Sequence, residues 1–225
     1  MPHPFSNATT PTPSPLPSAE WATWRRLVQV YLSRDTESAE IRARLVQWVT
    51  FVSPWLMIAN IVSAVLLARM LPADVAPWLR WSWCGLICAL AGLGLSGWLR
   101  HRRKVPTRVS PRVVHKSMWQ AGLLAALWAA LPWVILGHGS ATAQILIVGV
   151  MLGQVAGGGF VLTPLAPAGV VFTGIIGVST SAAVAQIRDP LATLLAALMV
   201  CYTLVTIAAI ILGARRSAGA LRAER

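Results

Sequence analysis

Acidic side chains are scarce in this chain: seven Asp plus Glu in 225 residues, with charged residues of both signs at only 12%. A soluble domain carries roughly 25%. Half the usual charge cannot wet a folded surface, so an ordinary soluble enzyme is excluded. No carboxylate lies in the middle of a long apolar run, which weighs against a proton-coupled pump built on a buried acid. Cysteine is also rare. Three residues are too few to staple a secreted domain. The four histidines are scattered, and no pair has ligand spacing on one helix. Neither a metal nor any other cofactor is expected. No GxxxxGK[ST] phosphate loop occurs, and no residue pattern reads as catalytic.

What is abundant is apolar: 56% of the chain, gathered in blocks near 20 residues long. Such blocks match the roughly 20 residues a helix needs to cross about 30 Å of hydrocarbon. The expected fold is an all-α polytopic membrane protein. Six spanning helices are placed near 46–69, 80–99, 118–137, 143–162, 168–187 and 191–213. The fourth and fifth are divided only by Pro164 and Pro167, since proline removes a helix hydrogen bond. Residues 1–19 are rich in Pro, Ser and Thr and are expected to be disordered. Residues 20–44 are read as a cytoplasmic lead-in. Within it, Trp21, Trp24, Leu27, Val28 and Tyr31 form the apolar stripe of an amphipathic helix. Residues 45–214 hold the helices, and 215–225 begin a cytoplasmic linker helix.

The net charge of +12 is topological rather than a nucleic-acid footprint. Arg25, Arg26, Arg34, Arg42 and Arg44 precede the first block. Arg100, Arg102, Arg103, Lys104, Arg108, Arg112 and Lys116 separate the second and third. Arg215, Arg216, Arg222 and Arg225 follow the last, leaving only Arg69, Arg80 and Arg188 for the other side. Basic residues collect on the cytoplasmic face, so both termini are expected inside a bacterial inner membrane. The loops on the other side are too short for a folded external domain.

Membrane helices pack through small residues that let backbones approach. Candidate packing positions are Cys84, Cys88 and Gly92 in the second helix, Gly149 and Gly153 in the fourth, and Gly177 and Ser181 in the fifth. Most are expected inside the bundle, with one row forming a homodimer seam. Cys84 and Cys88 are four apart, so their side chains stack along the axis without the convergence a disulfide needs. Asn60 and Gln154 are amides inside apolar runs and must find partners. Trp128 and Pro132 share a stripe of the third helix, where Pro132 deprives the Trp128 carbonyl of its bond. Asn60, Trp128, Pro132 and Gln154 are the expected ligand or signal pocket. Gly157, Gly158 and Gly159, with Pro164 and Pro167, are the expected hinge.

Three stretches carry a resemblance: Ile41–Ala64 (IRARLVQWVTFVSPWLMIANIVSA), Leu123–Trp133 (LLAALWAALPW) and Gln144–Phe172 (QILIVGVMLGQVAGGGFVLTPLAPAGVVF). With its arginine-rich lead-in, Trp–Pro pair and Gly-then-Pro turn, the chain resembles the N-terminal membrane regions of bacterial signalling proteins. Those regions are fused to GGDEF diguanylate cyclase, EAL phosphodiesterase or histidine kinase modules. The resemblance implies a non-enzymatic sensor and anchor, embedded in the bilayer and dimeric. It implies control of a cytoplasmic signalling domain in cis or in trans, and a lipophilic ligand as a candidate stimulus. A small transporter, and a scaffold subunit binding a partner, are the alternatives.

Overall fold

The structure, a computed structural model, describes residues 31–33, 35–71, 75–101, 108–136 and 141–223. Among them there is helix and no strand. Six long helices follow one another: α1 Thr36–Met70, α2 Pro77–His101, α3 Pro111–Ile135, α4 Ala141–Leu162, α5 Ala166–Val184 and α6 Pro190–Ala223. A short 3-10 turn, Thr163–Leu165, joins α4 to α5. The disordered tail and most of the amphipathic lead-in of the sequence reading lie outside the described residues.

Proline marks the starts. It is the first residue of α2, α3 and α6, where its fixed φ suits the helix and its missing N–H would be unpaired anyway. Ser110 caps α3 by accepting from the Arg112 N–H at 3.4 Å. Asp189 accepts from the Leu191 N–H at 2.8 Å at the start of α6. These caps and the length of the apolar runs explain why the helices form. They also begin earlier than hydropathy suggests: α1 starts ten residues before the expected span, because Thr36–Leu45 is helical although polar.

By length and composition, five helical stretches can cross a membrane, the fourth being the continuous run Ala143–Val184. That run is folded back on itself. A Cβ on Gly159 would lie 3.1 Å from the Thr173 Oγ1, whereas fourteen residues of straight helix would separate them by about 21 Å. The 3-10 turn therefore reverses the chain, and α4 and α5 run side by side. α5 is the hub, lying against α3, α4 and α6, while α1 and α2 pair at the flank. Phe172, Ile176 and Thr180 of α5 are almost completely buried.

The exterior is apolar. Trp55, Leu93, Leu123, Phe160, Val178 and Leu204, one on each helix, are more than half exposed. Water would not tolerate such a surface over a whole protein, and lipid does. The described basic residues sort by end. The starts of α1 and α3 meet through the Val109 N–H and the Ala39 carbonyl at 3.1 Å. The turn between α4 and α5 meets α6 where Gly213 faces Thr163 Cγ2, 2.6 Å from a Cβ built there. Arg42, Arg44, Arg100, Arg108, Arg112, Lys116, Arg215 and Arg216 lie at this end, and Arg69, Arg80 and Arg188 at the other.

Candidate functional site

Asn60 is on α1 and 1% exposed; Trp128 is on α3 and fully buried. The indole Nε1 of Trp128 donates to the Asn60 Oδ1 at 2.7 Å. Asn60 Nδ2 in turn donates to the Leu56 carbonyl one turn back, at 2.8 Å. Both ends of the amide are thus occupied, and the partner that an amide in hydrocarbon requires is the indole sixty-eight residues along the chain.

Trp83 of α2 completes the cluster. Its ring meets that of Trp128 edge to face, with centroids 5.3 Å apart and planes at 85°, a favoured aromatic geometry. Its Nε1 donates to the Leu127 carbonyl at 2.7 Å. A second link runs from α3 to α5: Trp133 Nε1 donates to Ser179 Oγ at 2.7 Å, and Ser179 Oγ donates to the Ala129 carbonyl at 2.9 Å. Both links end on carbonyls within five residues of the buried Pro132. Proline disturbs the hydrogen-bond ladder around the preceding turn, and carbonyls there are accessible to side-chain donors from neighbouring helices. The result is a polar lock joining α1, α2, α3 and α5.

Gln154 is 9% exposed and makes no hydrogen bond to Asn60, Trp128 or any other described residue. The Thr173 and Thr180 hydroxyls of α5 are buried with no hydrogen-bond partner among the described residues. The expected four-residue pocket therefore divides. Asn60, Trp128 and Pro132 belong to the lock, and Gln154, on α4, is not part of it.

The expected hinge is a tightly packed turn. Gly158 faces the Phe172 ring, and Gly159 lies against Thr206 Cγ2 at 2.9 Å from a built Cβ. Pro164 is buried, Pro167 partly so. The Tyr31 hydroxyl, also buried, donates to the Pro164 carbonyl at 2.9 Å. Burial pushes the Tyr31 phenol up to about 12. Tyr31 thus faces the bundle.

Packing residues separate into two sets. Gly177 faces the Thr203 hydroxyl of α6, too close for any side chain, and Ser181 bonds the Gly177 carbonyl at 2.7 Å. Cys84 and Cys88 stack with sulfurs 4.0 Å apart. By contrast, Gly149, Gly153 and Gly157 are exposed, and a Cβ on any of them, or on Gly92, would meet nothing within 4 Å. That row points outward from the single chain, where the sequence reading put internal contacts first.

No protein-family model matches the chain, and neither a curated protein nor a solved structure matches it. Trp83, Ser179, Tyr31, Thr173 and Thr180 were not singled out as site residues by sequence. The usable signal for Trp83 was an indole donor inside an apolar run, which must be satisfied just as an amide must.

Proposed function

We propose that this chain is a membrane-embedded sensory and anchoring domain with six crossings and both ends on the cytoplasmic side. It acts as a homodimer and regulates a signalling output, a cyclic-di-GMP enzyme or a histidine kinase, without catalysis of its own. The observation that carries this reading is α6. It runs unbroken for 34 residues from Pro190 to Ala223, about 51 Å at 1.5 Å per residue, well beyond the roughly 30 Å of hydrocarbon. It leaves the bundle exactly where the α4–α5 turn presses on Gly213, so a shift of that turn reaches α6 directly. The polar lock holds α1, α2, α3 and α5 together as the frame against which α6 moves. The resemblance in the lead-in, the Trp–Pro pair and the Gly-then-Pro turn supports the same reading.

The test is a diguanylate cyclase reporter fused after Arg225, with cyclic-di-GMP measured at matched membrane levels. Asn60→Leu and Pro164→Ala are expected to change output at least threefold. Unchanged output from both variants refutes the sensor reading.

A transporter reading has its own support in the buried hydroxyls of Thr173 and Thr180, which have no hydrogen-bond partner among the described residues. Uptake of polar solutes into proteoliposomes, abolished by Thr173→Val with Thr180→Val, would establish that reading instead.

A further inference from the structure

At the arginine-rich end, the start of α1 and the start of α3 enclose a cavity of about 420 Å³. That volume falls in the range that holds a small ligand. Its walls include Arg42, Arg108, Val109, Ser110 and Arg112. Arg42 is 1% exposed. It is fixed by two carbonyls, donating from Nε to Val109 at 2.9 Å and from Nη1 to Ser33 at 2.8 Å. These two carbonyls orient the guanidinium. Arg108 and Arg112 are exposed at the rim. Glu40 faces Arg108 at 4.0 Å, beyond the 2.7–2.9 Å of a charge-assisted hydrogen bond, and Asp35 acts electrostatically on Arg42. Three cations, Arg42, Arg108 and Arg112, line the cavity, and none of its lining residues is acidic. The first turn of α3 adds the positive end of a 25-residue helix.

The depth of the cavity is informative. Arg42 stands one turn before Val46, where the first expected span begins, and Arg112 stands a turn and a half before Met118, where the third begins. Head groups of a bilayer lie at that level, and basic pockets between helices there suit anionic lipids. We propose that this cavity binds a phosphate group, carried by an anionic phospholipid of the adjoining leaflet. The cation pair at the rim holds the phosphate oxygens, and the buried Arg42 supplies charge from behind.

The test uses the purified full chain, with bound lipid read by native mass spectrometry. Phosphatidylglycerol is expected to be retained about tenfold over phosphatidylcholine, as charge-assisted contacts to a net anion require. Arg108→Gln combined with Arg112→Gln removes the preference, and Arg188→Gln at the opposite end keeps it. Glu40→Gln, which removes the competing carboxylate, tightens retention about threefold. That gain keeps the proposal testable should the double variant misfold. Displacement by millimolar inorganic phosphate assigns free phosphate as an occupant, and retention against it assigns the lipid. Equal retention by wild type and double variant, equal loss in Arg188→Gln, or no gain in Glu40→Gln overturns the proposal.

Discussion

At the scale of single residues, the bonds to Asn60 and Gly177 are the ones to test. Asn60→Leu leaves the buried Trp128 N–H with no acceptor, a loss of about 1–3 kcal/mol. Trp128→Phe removes the donor instead and strands the Asn60 oxygen at a similar cost. The double variant is expected to recover part of the loss, because neither polar group is then left alone. Thermal unfolding in detergent measures all three. Gly177→Ala drives a methyl into the Thr203 hydroxyl, and overpacking of this kind costs about 1–3 kcal/mol. Gly153→Ala, in open space, stays within about 0.5 kcal/mol of the parent.

Much of the lock was legible in the sequence. An amide and an indole within apolar runs each demand a partner, and Asn60 and Trp128 supply each other. The acceptor for Trp83 was not legible, because a backbone carbonyl beside a proline carries no residue identity. The glycine rows were misleading for a related reason. Gly149, Gly153 and Gly157 lie at ideal spacing for close approach, yet the chain spends Gly158 and Gly159 on its internal contacts. Helical period alone does not say which of two adjacent rows faces the neighbour. Thr36–Leu45 was hidden in another way, since hydropathy finds the apolar part of a helix and not its polar extension.

At the scale of elements, the outward glycine row on α4 is the bare face available to the proposed homodimer. Gly153→Ile is expected to lower energy transfer between labelled chains in liposomes while leaving helicity unchanged, because close backbone approach drives such contacts. The 3-10 turn makes a second prediction through Tyr31. Its phenol is raised from 10.0 to about 12 by burial, so the folded state holds the proton more tightly than the unfolded one. The associated stability is complete below pH 10 and is lost as pH rises from 10 towards 12. With Tyr202→Phe as background, Tyr31 is the remaining tyrosine of the two, and its tyrosinate absorbance should appear near pH 12. A midpoint near 10 would show that the Tyr31–Pro164 contact is open.

At the scale of the whole molecule, charge and shape agree. Eight described basic residues gather where the helices overshoot their apolar spans, and three sit at the end with short connections. Orientation by the basic excess predicts that a thiol placed at Gly219 is shielded from an impermeant reagent in intact cells. A thiol placed at Arg188 is expected to react.

On the sensor reading proposed above, the uninterrupted α6 serves as a lever. The α4–α5 turn holds it at Gly213, and ten residues separate that fulcrum from Ala223, an arm of about 15 Å. A rocking of about 5° at the contact sweeps the tip sideways by about 1.3 Å over such an arm, doubled between the two tips of the proposed symmetric pair. Motion too small to disturb packing beside the fulcrum is thereby magnified at the far end, where the proposed output domain would register it.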